Sequence, residues 1–277
     1  MAEVRSPTVR RRELGERLRA LRNEQGLTVE QVAERLLCSP SKISRMETGQ
    51  RSATLRDVRD LCVLYGITQQ VDRDRLMTLA REARQQAWWQ SYDLQYKTYA
   101  GLEFEATAID DFQSSVVPGL LQTPEYARAG HLGAFPVLSP DEIERQIEAK
   151  LTRQEILRRA EPPEFRAVLD EAVLHRLTGG PDVMKAQLGK LIEKSRLPNV
   201  TIQVIPFAVG AHPGVESNFS ILRLPAISGV VFVEGLSGST YLERPEDLER
   251  YGQIFATLQG IALSPQDSID LIAQMRS

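Results

Sequence analysis

Residues 27–49 read LTVEQVAERLLCSPSKISRMETG, and two short helices can be read from that string. Thr28, with Gln31 three residues later, forms a capping box that starts a helix whose Val32, Ala33 and Leu36 face inward. Ser39 starts the next helix, with Pro40 in its first turn, where a missing N–H costs nothing. Ile43 and Met46 are its buried pair, and Gly49 ends it. Only about three residues, Leu37 to Ser39, separate the two helices. That is the spacing of a helix-turn-helix, in which the second helix lies in the major groove of DNA.

The flanks extend the pattern. A first helix is predicted from about Arg11 to Gln25, with Leu14, Leu18 and Leu21 as its apolar stripe and Gly26 as its end. Thr54 caps a fourth helix, whose Val58, Leu61, Val63 and Leu64 are assigned to the core and which closes at Gly66. Residues 1–68 thus read as an all-α domain of four to five helices. The run Arg10-Arg11-Arg12 before it is either an arm for phosphate or minor groove or a frayed, solvated terminus.

The block from Leu27 to Gly49, above all Ser41-Lys-Ile-Ser-Arg-Met-Glu-Thr-Gly49, closely resembles the phage-repressor-like helix-turn-helix of Cro/C1 type, the XRE family. The resemblance implies that the third helix, about 39–48, presents Pro40, Ser41, Lys42 and Arg45 to double-stranded DNA. Arg45 is the expected base reader, because its fork matches guanine O6 and N7. Ser41 and Lys42 reach either a base edge or a phosphate. Thr28, at a helix start, is expected to hold a backbone phosphate, as are Gln50 and Arg51. Arg22 and Glu47 match an internal ion pair of that family and are assigned to structure. Leu37 stands where the family has glycine. It either accepts an unusual backbone or shifts the turn.

Residues 69–101 read as a helical connector. Val71, Leu76, Leu79 and Ala83 lie on one side. An aromatic stripe follows at Trp88, Tyr92, Tyr96 and Tyr99, spaced for one helical face, and Gly101 closes the segment. The stripe is either a wall for a ligand or, the preferred reading, a docking face.

Residues 102–277 alternate in type. Residues 103–116 mix strand and helix signals. Thr123 caps a short helix. Ser139 with Glu142 opens a long one to about Arg159, with Ile143, Ile147 and Leu151 inward. Strands are predicted at 165–170, 200–207, 219–224, 229–234 and 240–243, and helices at 181–195, 245–263 and from 264 on. The fold class is therefore multidomain: a helical domain followed by a mixed α/β or α+β domain. The 117–129 block, residues 200–207 and Tyr241-Leu-Glu243 resemble the C-terminal domain of actinobacterial regulators described as antitoxin-like, whose genes often neighbour one for a small partner protein. That resemblance brings no catalytic or ligand residue.

No catalytic constellation is visible. His131, His175 and His212 lie far apart and lack metal-ligand spacing. There is neither a Walker loop nor a Gly-x-Ser-x-Gly elbow. Asp170 and Glu171 read as a polar strand-to-turn pair rather than a catalytic one, and His212 as a turn residue. No enzyme activity, cofactor or metal is expected. The two cysteines, Cys38 and Cys62, make no disulfide framework. No apolar run suits a membrane span and no signal peptide is apparent, so a cytoplasmic protein is expected.

Charge is divided unevenly. Residues 1–67 hold 13 Lys and Arg against 9 Asp and Glu, a net of +4, while the remainder holds 21 against 28, a net of −7. That suits a DNA-binding module attached to an acidic partner domain. The reading is a sequence-specific transcriptional regulator. A homodimer is expected, since one such module reads too few base pairs. The second domain dimerises, senses a small-molecule effector or captures a small partner protein encoded nearby. In the alternative reading, that capture is the main task and DNA binding serves autoregulation.

Overall fold

The computed structural model describes residues 6–90, 92, 97–133, 138–225, 227–235 and 238–276. The chain divides into two compact units, residues 1–91 with 97–105, and residues 92–96 with 106–277.

The first unit is helical. Its elements are α1 (Pro7–Glu24), α2 (Val29–Arg35), α3 (Pro40–Glu47), α4 (Leu55–Leu64), α5 (Gln70–Glu82), a 3-10 turn at Trp88–Gln90 and α6 (Lys97–Glu105). Thr28, Ser39 and Thr54 each cap a helix, accepting from the backbone N–H three residues on. Capping boxes close at Thr28 with Gln31 and at Thr54 with Asp57. One core joins Leu14 and Leu18 of α1, Val32 and Ala33 of α2, Ile43 and Met46 of α3, Val58 and Leu61 of α4, and Leu76 and Leu79 of α5.

Several expectations change here. Helix α1 begins at Pro7, capped by Ser6, so Arg10 to Arg12 form neither an arm nor a frayed end. Arg10 is buried and reaches Glu13 at 2.5 Å, with Glu82 and Glu105 at 3.5 and 3.7 Å. Three carboxylates offset the cost of taking that charge out of water. Val63 is 68% exposed, because the inward phase of α4 runs Val58, Leu61, Cys62 and Tyr65. Residues 69–90 and 97–101 belong to this unit. Leu76, Leu79 and Ala80 of α5 enter its core, and Ser6 Oγ donates to the Gly101 carbonyl at 2.6 Å. Gly101 does not close a segment. It lies inside α6, where a side chain would overlap Thr8. The aromatic stripe is not one helical face. Trp88 and Trp89 sit in the 3-10 turn, Trp89 is buried against Phe104 at 5.3 Å, and Tyr99 belongs to α6. Tyr96 lies outside the described residues.

The second unit is built on one six-stranded mixed sheet. Its elements are β1 (Ala108–Gln113), α7 (Pro124–Leu132), α8 (Pro140–Gln154), β2 (Glu164–Asp170), α9 (Ala172–His175), α10 (Pro181–Lys194), β3 (Val200–Ile205), β4 (Phe219–Arg223), β5 (Val230–Gly235), β6 (Gly238–Leu242), α11 (Pro245–Ile261) and α12 (Pro265–Arg276). The strand order is β3-β2-β1-β4-β5-β6. Strands β1, β2 and β3 are parallel, with Ile109 opposite Phe165 and Ala167 opposite Ile202. Helical crossovers connect them, as parallel pairing requires. The β4–β6 part is antiparallel. Phe112, Val168, Ile205, Phe219, Ile221 and Val231 of the sheet meet Phe255 and Leu258 of α11.

The β3 edge is closed rather than bare. The Val204 N–H donates to Ser268 Oγ at 3.0 Å, and the Leu263 N–H donates to the Val204 carbonyl at 2.8 Å. Leu151, assigned to the core, is 38% exposed. Gln154 takes the inward place on α8 instead, donating to the carbonyls of Gly119 and Gln122 at 3.0 and 2.8 Å.

Candidate nucleic-acid interface

The turn between α2 and α3 fixes how α3 is presented. Leu37 adopts φ +49, the only non-glycine residue with positive φ among those described. Of the two alternatives, the chain accepts the unusual backbone at Leu37. The Leu37 and Cys38 N–H groups donate to the carbonyls of Glu34 and Ala33, at 3.1 and 2.9 Å, closing the end of α2. The Leu37 side chain is 95% exposed.

Helix α3 buries Ile43, Met46 and Glu47 and turns Pro40, Ser41, Ser44, Arg45 and Thr48 to solvent. Residues 41, 44, 45 and 48 share one face by helical spacing. Arg45 lies along that face, its Nε donating to the Ser41 carbonyl at 3.2 Å. Ser44 and Thr48 were not singled out from sequence; their i+3 and i+7 spacing from Ser41 is the signal that identifies them. Thr48 Oγ1 is committed to the Ser44 carbonyl at 3.0 Å.

Lys42 is directed elsewhere. Its ammonium meets Asp57 Oδ1 of α4 at 2.5 Å. Burial pushes the Asp57 carboxyl up, but hydrogen bonds from Lys42 and Thr54 outweigh it and hold the group below the usual range. Gln50 and Arg51 are exposed in the link after α3, and Thr28 is exposed at the start of α2. Glu30 stands beside Thr28, its carboxyl held low by its own backbone N–H and by the Thr28 hydroxyl. Any phosphate there meets an acidic neighbour.

Two features hold α3 to α1. Arg22 makes a two-pronged bond to Glu47, Nε to Oε1 at 2.7 Å and Nη2 to Oε2 at 2.9 Å, and its Nη1 donates to the Leu27 carbonyl at 2.7 Å. That arginine spans the start of the helix-turn-helix and the end of α3. Gly15 provides the second. A Cβ there would lie 2.6 Å from the Glu47 carbonyl oxygen and 2.7 Å from that of Met46.

In the second unit, the C-terminal end of β2 gathers residues that are distant in sequence. His212 Nε2 lies 3.1 Å from Asp170 Oδ2, and its Nδ1 accepts the Gly214 N–H at 3.2 Å. Both ring nitrogens are thus engaged, and the ring sits edge-on to Phe112 at 5.8 Å. His175 meets Glu171 at 3.0 Å and stacks on Phe207 at 5.3 Å. The His175–Glu171 pair has a local i,i+4 spacing, whereas nothing local in the chain signals that His212 meets Asp170, 42 positions away. Among the described residues, no three His, Cys, Asp or Glu side chains are grouped to hold a metal ion. No helix among them is long and apolar enough to cross a membrane.

The capped α2–turn–α3 unit with its exposed polar face defines a helix-turn-helix protein, and residues 13–76 match the family model of a helix-turn-helix domain. Residues 96–274 match a second model, the domain of unknown function DUF5753, and since that match covers more than half of the chain, the protein belongs to that family. No curated protein and no solved structure matches the chain.

Proposed function

We propose that the chain is a sequence-specific transcriptional regulator of the Cro/C1, or XRE, type. It inserts α3 into the major groove and works as a homodimer on paired half-sites in the cytoplasm. The observation that carries this reading is the exposed, largely polar face of α3, with Arg45 laid along it. Arg45 is the base reader. Ser41 and Ser44 flank it, and Gln50 and Arg51 hold the backbone. Lys42 joins them only if Asp57 releases it. The second unit binds rather than catalyses, which fits a His212 whose two nitrogens are both engaged. It supplies dimer contacts and receives a small molecule or a small partner protein of the antitoxin-like kind.

The test is recovery of genomic DNA fragments by purified protein, with Arg45→Ala alongside. A short inverted repeat is expected, lost in the variant at a cost of about 1–3 kcal/mol and with relaxed preference at one base pair. Equal loss on specific and random duplex removes Arg45 from base reading. No enrichment by the unaltered protein sinks the regulator reading.

A further inference from the structure

A shallow depression of about 330 Å³ opens on the first unit. Arg11 of α1 lines it, with Ser52 and Thr54 of the link between α3 and α4, and Ala83, Arg84 and Gln85 from the end of α5. Its lining holds two arginines, a serine, a threonine and a glutamine, and no acidic residue among those described. The Thr54 hydroxyl is committed to Asp57 at 2.8 Å, and that carboxylate is itself held by Lys42. Arg11 is half-buried, and its Nε is sealed from water without a hydrogen-bond partner among the described residues. Burial first, and the charge of Arg12 second, push its pKa down. The contrast with Arg10, one residue away, is informative, because Arg10 has three carboxylates around it. A partly desolvated cation that meets only like charge among the described residues is costly unless an anion arrives from outside.

We propose that this depression binds a phosphate group, with Arg11 and Arg84 as the charged donors and Ser52 and Gln85 as neutral ones. Guanidinium forks suit the tetrahedral oxyanion. The phosphate comes either from the backbone of DNA or from a free phosphate. The first source rests on the reading of α3 as the recognition helix, because Ser52 directly follows Gln50 and Arg51. Arg84 would then extend the backbone contacts beyond the helix-turn-helix itself.

The test uses the full-length chain and Arg84→Gln, an exposed position, with a melting curve to verify folding. Affinity for a random duplex is measured across a salt series. Inorganic phosphate is titrated separately while the Arg11 Nε–H resonance is followed by NMR. With the backbone source, R84Q weakens binding about three- to tenfold on every duplex, and the slope of log K against log salt falls by about one. With the free source, inorganic phosphate shifts the Arg11 resonance saturably in the unaltered protein and not in R84Q, while duplex affinity stays the same. Either response, or both, supports the site. Unchanged duplex affinity and slope together with no saturable shift overturns it. The α3 reading fails separately. If the unaltered protein binds no duplex but phosphate still shifts Arg11, the site stands and the DNA reading falls.

Discussion

Leu37 pays for its place in the turn with a left-handed backbone, and its side chain recovers nothing by burial. An L-residue in that region costs roughly 1–2 kcal/mol, while glycine forfeits about 0.5–1 kcal/mol of chain entropy. Leu37→Gly should therefore raise unfolding stability by up to about 1 kcal/mol in urea titration. A loss of stability would mean that the leucine makes a contact the backbone argument ignores. Lys150 carries a second residue-scale cost. Its Nζ donates to Gln122 Oε1 at 2.7 Å. Burial first, then Arg153, lower its pKa to about 8 from an ordinary 10.5. Between those values the unfolded chain binds the proton and the folded one does not, so stability rises with pH across that window. Below pH 8 both states are protonated, and the full cost is present. Lys150→Gln should remove this rise. Relative to the unaltered protein, the variant gains about 1–3 kcal/mol at pH 7 over its standing at pH 10, as read by chemical unfolding at both values. Parallel stability curves for the two proteins would contradict the assignment.

At the scale of elements, the position of α3 depends on how closely α1 approaches it. Gly15 lets the α1 backbone touch the carbonyls of Met46 and Glu47. A methyl group there has to push the two helices apart. Gly15→Ala should cost about 1–3 kcal/mol by overpacking. It should also weaken operator binding more than its effect on stability explains, because α3 is tilted or shifted; thermal melts paired with duplex titrations separate the two effects. Unchanged stability would show that the helices can part freely. Gly15 also shows where sequence reading stops. The helix-turn-helix was legible because every cap, stop and inward residue there is local, spaced by three or four positions. A close approach between α1 and α3 leaves no periodic trace. Strand β1 lacks a clear local signature for a related reason. It is a short central strand buried almost throughout, Asp110 and Asp111 included. Asp110 is satisfied by Arg166 at 2.6 Å and Arg223 at 3.0 Å, from the neighbouring strands β2 and β4. Two adjacent acids read locally as surface, and only pairing across the sheet makes them core. The His212–Asp170 contact was hidden for the same reason, since its partners are 42 positions apart.

At the scale of the molecule, the DNA-binding unit extends beyond the stretch that resembles a helix-turn-helix. Residues 1–105 hold 18 Lys and Arg against 15 Asp and Glu, so the basic excess stays with the first unit. Its core needs Leu76, Leu79 and Ala80 from α5. The start of α1 needs α6, since Ser6 and Arg10 find partners at Gly101 and Glu105. Cutting at residue 68 exposes the α5 side of the core and leaves Arg10 with Glu13 alone. Removing several buried Leu-sized side chains costs about 2–5 kcal/mol each, comparable to the whole stability of a small domain. A fragment of residues 1–105 should therefore melt in one cooperative transition, followed by circular dichroism. A fragment of residues 1–68 should show helical signal without a sharp transition. If the regulator reading is right, the longer fragment keeps the base preference of the full chain but binds more weakly, because it lacks the unit proposed to pair two copies. Equal cooperativity in the two fragments would place α5 and α6 outside the folding unit and return the boundary to residue 68.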